Sequence, residues 1–376
     1  MELNVEGVLK ALQNVLEPEI KKDIVNLGLV TNTVVKGAKI SFTLYVNNPA
    51  LHNKNRMRDA CLFALERNFG EDIETDINVL PNTKNPDNID SRKILPGVKH
   101  VIAVASGKGG VGKSTITANT AISLAKMGFN VGVLDADVYG PSQHIMFDVE
   151  KAKPLSVNIE GRSKMKPVES YGVKLLSLGF FTDPGQAVIW RGPMASKALN
   201  QLIFDADWGE LDFLLIDLPP GTGDVHLSIV QALPISGAVI VSTPQNIALA
   251  DAKKGVAMFQ QENINVPVLG IIENMAYFTP EELPDNKYYI FGKDGAKNLA
   301  EDIKTKFLGE IPLVQSIRES GDVGRPVAMQ NGTVLEKSFN EITKEMVAEL
   351  LKRNQNLPPT EVVRITTMSG CSSVNK

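Results

Sequence analysis

The sequence predicts an α/β protein: a largely parallel sheet with helices on both faces, preceded by a small α+β domain. From His100 onward, short and continuously apolar runs alternate with segments of helical periodicity. Continuous apolar runs are typical of strands in a sheet covered on both faces, and strand–helix alternation favours right-handed crossovers between parallel strands. The apolar runs are residues 101–105, 131–135, 173–180, 213–218, 237–243 and 267–272.

Residues 1–81 form the predicted α+β domain. Apolar residues recur at helical spacing over residues 5–16 and again over residues 55–69, whereas residues 38–46 alternate like a half-buried strand. These patterns predict two helices and at least one strand.

The remaining chain divides by composition. Residues 82–98 are rich in Pro, Asn, Asp and Lys, which is typical of a linker. The sheet domain is predicted over residues 99–353 and closes with an amphipathic helix at 334–352. The polar tail, residues 354–376, contains two adjacent prolines, and we expect it to be flexible.

Composition and charge narrow the function classes. The 376 residues carry a net charge of -4, which disfavours a general nucleic-acid binder with its usual basic face. No apolar stretch approaches the ~20 residues of a membrane helix, and the first residues do not resemble a secretory signal. The two cysteines are far apart and form no disulfide framework. We therefore expect a cytoplasmic protein without nucleic-acid or membrane partners.

A phosphate-binding loop lies between the first strand of the sheet domain and the helical segment after it. Gly107, Gly112, Lys113 and Ser114 match G-x-x-x-x-G-K-[ST]. Such a loop points backbone N–H groups at phosphates, its lysine neutralises the β/γ oxygens and its hydroxyl binds Mg²⁺. The motif in this context predicts a doubly wound P-loop NTPase sheet. The predicted nucleotide contacts are Gly107, Gly109, Gly110, Val111, Gly112, Lys113, Ser114 and Thr115.

Acidic residues end two of the predicted strands. Asp217 closes one apolar run and is placed to hold the magnesium shell together with Ser114. Asp135 and Asp137 close another, and either could orient the attacking water, although Asp is also common in turns after strands. We assign the water-orienting role to Asp137. With these residues the protein is predicted to be an ATPase that converts ATP and water to ADP and phosphate.

The loop contains a second lysine, Lys108, whose side chain need not reach its own phosphates. The pattern K-G-G-x-G-K-[ST] resembles the deviant Walker A loop of the MinD/ParA/nitrogenase-iron-protein class. The resemblance implies that Lys108 crosses a two-fold interface to the partner's nucleotide, as a cation delivered at the transition state. It therefore implies a homodimer in which ATP is sandwiched between two copies.

Longer sequence segments narrow the resemblance to one family within this class. "DADVYGPSQ", "DFLLIDLPPGTGDVHLSI" and "VPVLGIIENMAYF" resemble the Mrp/ApbC/NBP35 family of ATP-binding iron–sulfur cluster carriers and assembly factors. "VLEPEIKKDIVNLGLV" looks like the MIP18 (DUF59) domain that precedes some of these proteins. The resemblance implies that Asn274 reads the adenine edge. It also implies iron–sulfur donor and recipient proteins as partners.

The chain departs from the family where a cluster would be held. Many members carry C-x-x-C after "ENMAYF", so that a dimer supplies four thiolates to a bridging cluster. Here Thr279, Pro280, Glu281 and Glu282 take that place. In the MIP18-like part, residues 51–53 replace a cysteine followed by proline.

The remaining candidate ligands are few. We expect Cys61, on the apolar side of a predicted helix, to be buried and inert, whereas Cys371 in the tail is a candidate cluster ligand. The four histidines show no metal-ligand spacing. His226 follows "TGD" and could lie near the nucleotide, but we expect it on a helix surface.

Three functions are compatible with these patterns. The first is an ATP-hydrolysing iron–sulfur cluster carrier or assembly factor. The second is a positioning ATPase like MinD or ParA, against which the proline-containing tail argues because it lacks a basic amphipathic helix. The third is an ATP-locked adaptor that binds a cluster-carrying partner and holds no cluster itself.

Overall fold

The computed structural model describes residues 3–17, 22–46, 51–70, 73–81, 95, 97–159, 161–181, 192–261, 264–280, 282–283 and 285–357. The chain divides into two compact units, Met1–Asp90 and Ser91–Lys376. Cys371 and Glu281 lie outside the described residues.

The first unit is a three-stranded sheet with two helices. Its elements are α1 (Val5–Leu12), β1 (Val30–Lys36), β2 (Lys39–Val46), α2 (Leu51–Phe69) and β3 (Glu74–Pro81). The central β2 pairs antiparallel with β1 and parallel with β3.

The first helix is shorter than predicted. It begins where the Asn4 side chain accepts a hydrogen bond from Gly7 N, and it ends at Leu12 rather than Leu16. The Val15 carbonyl instead accepts from Ile24 N, so tertiary hydrogen bonding takes over from the helical pattern.

The second unit contains the larger sheet. Its strands are β4 (Val98–Ala105), β5 (Val131–Asp135), β6 (Leu155–Ile159), β7 (Arg162–Lys166), β8 (Val168–Ser170), β9 (Val173–Ser177), β10 (Leu211–Asp217), β11 (Gly237–Ser242), β12 (Val268–Phe278) and β13 (Phe307–Leu313). Its helices are α3 (Lys113–Lys126), α4 (Gln143–Met146), α5 (Gly192–Phe204), α6 (Asp224–Ala232), α7 (Asn246–Phe259), α8 (Gly295–Asp302), α9 (Gln315–Asp322) and α10 (Val334–Asn356).

Eight of these strands form one sheet in the order β13-β12-β11-β4-β10-β5-β9-β8. All pairs are parallel except β8 with β9, while β6 and β7 pair separately. Alternate residues of β4 enter different cores: Val101 and Ala103 pack in one, Ile102 and Val104 in the other. The sheet is therefore covered on both faces, and the predicted fold class is confirmed.

Several element ends of the second unit differ from the predictions. β4 begins at Val98, the last residue of the predicted linker, and α10 continues to Asn356, inside the predicted tail. The strand expected over 173–180 ends at Ser177, because the Ser177 side chain accepts from Gly179 N and starts a 3-10 turn.

The strand order determines where a ligand can bind. β10 lies between β4 and β5 in the sheet, although it follows both of them along the chain. The loops that leave the carboxyl ends of these strands therefore turn to opposite sides of the sheet, and a crevice lies between them. Crevices of this kind are where open α/β sheets bind nucleotides. Asp217 pairs in register with Val104 and with Asp135, which brings the acidic strand ends next to the start of the phosphate loop.

Candidate nucleotide site

The phosphate loop joins β4 to α3 and is closely packed against residues of α7 and β12. A Cβ at Gly107 would lie 2.1 Å from the Asp251 carbonyl carbon, and one at Gly112 would lie 2.1 Å from Asn274 Nδ2. Gly110 and Gly112 both have φ of +83°, the left-handed region that glycine tolerates. Gly112 also precedes α3 without a capping side chain, so the first-turn N–H groups of α3 are left to a bound anion.

Asp217 is the centre of the polar network. Its Oδ1 accepts hydrogen bonds from Lys113 Nζ and, at 3.2 Å, from Thr117 Oγ1. Its Oδ2 accepts from Gln143 Nε2 at 2.8 Å. Lys113 and Asp217 are both buried, so the positive charge of the ammonium and the negative charge of the carboxylate compensate each other. A triphosphate would compete with Asp217 for the Lys113 ammonium.

The donor set at this centre suits magnesium. Lys113 Nζ lies 3.4 Å from Ser114 Oγ as well as against Asp217, which brings the hydroxyl and the carboxylate to one point of the site. Hydroxyl and carboxylate oxygens are the hard ligands that Mg²⁺ takes beside phosphates. Ser114 and Asp217 would hold the ion, which supplies charge neutralisation at the β/γ phosphates.

The structure separates the two acids that follow β5. Asp135 is fully buried, and its Oδ2 accepts from Ser142 N, Gln143 N and Ser177 Oγ at 2.9–3.0 Å. Burial, and secondly the charge of Asp217, raise the pKa of Asp135. Asp135 therefore holds the following loop together.

Asp137 lies closer to solvent. Its Oδ1 accepts from Tyr139 N and Gly140 N at 3.2 Å, in the manner of an Asx turn. Burial raises the pKa of Asp137, whereas the charge of Lys113 lowers it. Of the two acids, Asp137 is the better placed to face a nucleotide, and its water-orienting role remains a prediction.

Lys108 is exposed, at the outer side of the loop. Its exposure is compatible with a reach into a second molecule, and the cross-subunit role stays a prediction.

Asn274 lies within β12 and packs against the phosphate loop. It is buried, and its Nδ2 donates to the Val111 carbonyl at 2.8 Å. The amide therefore ties β12 to the loop, and its predicted contact with adenine is not tested by this bond.

Three polar residues of the site escaped prediction: Thr117, Gln143 and Ser177. Each is buried and bonds to Asp135 or Asp217. Gln143 and Ser177 come from separate segments of the chain. Only Thr117 had a usable signal, because it lies one helical turn after Lys113 on α3.

The expected surface position of His226 is wrong. His226 is only 2% exposed, and its ring centroid lies 5.7 Å from that of Phe259 on α7. Burial lowers the pKa of His226 to about 4. Cys61 is buried as expected, and burial raises the pKa of its thiol to about 12, which leaves it inert at neutral pH.

Phe278, the last residue of β12, forms an antiparallel bridge with Tyr288, and we call this bridge and the described residues between the two the hairpin after β12; the resemblance implies thiols there. Phe278 and Tyr288 exchange backbone hydrogen bonds of 2.8 Å in both directions. Lys287 Nζ lies 3.7 Å from the centroid of the Tyr277 ring and 3.4 Å from Glu310. Within the described part of the chain, no group of three or more His, Cys, Asp or Glu side chains could hold a metal ion.

Comparison with known proteins identifies the family. Residues 97–347 match the sequence model of the family described as NUBPL iron-transfer P-loop NTPase. The chain belongs to this family. Residues 6–74 match a second family model, described as iron-sulfur cluster assembly protein. The resemblance drawn from the sequence is thereby confirmed.

Relatives of this chain include proteins of similar length. It is 39% identical over 349 residues to a Synechocystis protein named iron-sulfur cluster carrier protein, with 93% of this chain and 98% of the relative covered. A protein of the same name from Aquifex aeolicus is 48% identical over 257 residues, covering 68% of this chain and 69% of the relative.

A solved structure is also similar. The nucleotide-binding protein of Archaeoglobus fulgidus, in complex with ADP, is 40% identical with a TM-score of 0.54, covering 63% of this chain and 90% of that chain. In the described part of this chain, no helix has the length and apolar character needed to cross a membrane.

Proposed function

We propose that this NTPase is an ATP-hydrolysing iron–sulfur cluster carrier that works as a homodimer with ATP held between its two copies. The observation that carries the nucleotide chemistry is the buried contact of Lys113 with Asp217, with Ser114 beside them. These groups neutralise phosphate and bind magnesium, while Asp137 orients water and the exposed Lys108 serves the partner subunit. The similar Archaeoglobus protein with bound ADP supports the assignment.

The cluster is the cargo in this proposal. Two relatives with high coverage are named iron-sulfur cluster carrier proteins, which favours transfer of clusters between donor and recipient proteins over a MinD- or ParA-like positioning role. Cys61 is buried and inert, so Cys371 is the thiol of this chain that remains available. Two thiolates per dimer would hold a cluster loosely, as suits a carrier.

An adaptor is the second candidate, favoured by the hairpin after β12. Thr279 and Pro280 stand where the family's C-x-x-C begins, and carboxylates such as Glu282 are poor ligands for iron–sulfur clusters. In this alternative, ATP locks the dimer and the hairpin docks a partner that carries the cluster.

Anaerobic reconstitution separates the two candidates. Wild type and Cys371→Ser are each loaded with iron and sulfide, and visible absorbance and iron content are measured. The carrier predicts weak, substoichiometric cluster in the wild type and a sharp loss in Cys371→Ser. Equal, near-stoichiometric iron in both proteins would exclude Cys371 as a ligand, and negligible iron in both would favour the adaptor. Phosphate release from ATP with magnesium tests the ATPase independently.

A further inference from the structure

Gln143 lies inside the nucleotide site and forms hydrogen bonds with three other residues of the site. It is the first residue of α4 and is fully buried. Its side-chain Nε2 donates to Asp217 Oδ2 at 2.8 Å and to the Ser114 carbonyl at 3.0 Å. Its backbone N donates to Asp135 Oδ2 at 3.0 Å. One residue thus ties the ends of β5 and β10 to the first turn of α3.

The two oxygens of Asp217 have partners of different kinds. Oδ1 accepts from the Lys113 ammonium and from Thr117, whereas Oδ2 accepts from the neutral Gln143 amide. If Lys113 turns to a phosphate, Oδ1 loses a charged partner and Oδ2 keeps its own. A neutral amide fixes the carboxylate without neutralising it, so the negative charge remains for a cation beside Ser114.

Gln143 also has an unsatisfied atom. Its Oε1 is buried and has no hydrogen-bond partner among the residues that the structure describes. A buried acceptor without a donor costs free energy and calls for an explanation. Water brought in with a hydrated cation is the kind of donor that would satisfy it.

We propose that Gln143 is a positioning residue for magnesium: it orients Asp217 so that Oδ1 faces the cation held with Ser114. The inference rests on the magnesium-dependent nucleotide site proposed above. The sequence pattern did not predict this role, since Gln143 lies on a helix of only four residues.

The test measures metal binding separately from nucleotide binding. Gln143→Met keeps the side-chain length and removes both donated bonds. ADP is titrated in EDTA by calorimetry, and Mn²⁺ is then titrated into the ADP-bound protein by electron paramagnetic resonance. We expect the ADP affinity in EDTA to stay within about threefold, and the Mn²⁺ affinity to fall about tenfold to a hundredfold, as when other outer partners of metal ligands are removed.

Two further variants make the result decisive. Gln201→Met, at an exposed position of α5, is the matched control and should change neither affinity. Gln143→Asn keeps an amide that is one methylene too short to reach both acceptors, and should show the same selective loss even if Gln143→Met fails to fold.

Unchanged Mn²⁺ affinity in Gln143→Asn or Gln143→Met would overturn the proposal. So would an equal loss of ADP affinity in EDTA, because that would indicate a purely structural role. If Mn²⁺ does not bind to the ADP-bound wild type, the proposed magnesium-dependent nucleotide function fails, whatever the behaviour of Gln143.

Discussion

The phosphate loop after β4 and the hairpin after β12 leave the same edge of one sheet, yet they are held in different ways. The loop has no room for a side chain at Gly107, and Lys113 behind it is bonded inside the core. The hairpin is held by the backbone pair of Phe278 and Tyr288, and the Tyr288 side chain is 46% exposed. A segment held in the second way can take a new sequence without disturbing the sheet. This difference explains how the thiols implied by the resemblance can be missing beside an intact nucleotide motif.

The largest effect is expected from Lys113→Ala. It removes the cation at the β/γ phosphates and leaves Asp217 buried without its charged partner. We expect loss of tight ATP binding and a loss of about 3 kcal/mol or more in the free energy of unfolding. Titration calorimetry and denaturant unfolding measure the two effects. Lys126→Ala, which breaks the contact with Glu336 at the far end of α3, is the control and should keep ATP binding. Wild-type ATP affinity in Lys113→Ala would contradict the assigned site.

The next effect is expected from Lys108→Ala. The side chain is exposed, so stability and ATP binding should change little. Hydrolysis should fall about 10³-fold, because a cation delivered at the transition state is lost. Phosphate release and ATP-dependent sedimentation are measured beside Lys254→Ala, an exposed lysine on α7. A Lys108→Ala protein that turns over ATP at the wild-type rate would rule out the cross-subunit role.

The third effect concerns Asp137 and Asp217, which we expect to have separate functions in the nucleotide site. Asp137→Ala should slow hydrolysis about 10²-fold and trap bound ATP, since the attacking water is no longer oriented. Asp217→Ala should instead weaken the dependence of ATP binding on magnesium. Titrations with magnesium and with EDTA distinguish the two variants, and identical behaviour would mean that their roles are not separate.

The smallest effect is expected at the hairpin, from Lys287→Ala. This change removes the stacking on Tyr277 and the exposed ion pair with Glu310. Such exposed contacts contribute about 1 kcal/mol or less, and ATP turnover should not change. Thermal unfolding and phosphate release are the measurements. A loss of turnover as large as that of Lys108→Ala would show that the hairpin belongs to the nucleotide site after all.

Local patterns predicted most of the fold, for reasons visible in particular elements. The strands β5 and β11 are buried along their whole length, so their apolar runs could be recognised from the sequence. Prediction failed where hydrogen bonds outside the regular pattern redirect the backbone: the Ser177 side chain ends β9 early, and the Val15 carbonyl accepts from Ile24 N instead of continuing α1. His226 was misplaced because a single histidine carries no sign of whether its helix face is covered.

The sequence by itself determined the phosphate loop, the two lysines, the acidic strand ends and the family, because each of these is recognised from a motif of contiguous residues. Only the tertiary structure decided which partners those residues have. Asp135 and Asp137 are equivalent in sequence, and the packing of Ser177 and Gln143 around Asp135 makes one of them structural. Gln143 reaches Asp217 across 74 residues of chain. The physical reason is that hydrogen bonding and burial depend on which strand ends become neighbours, and the order of strands in a sheet differs from their order along the chain.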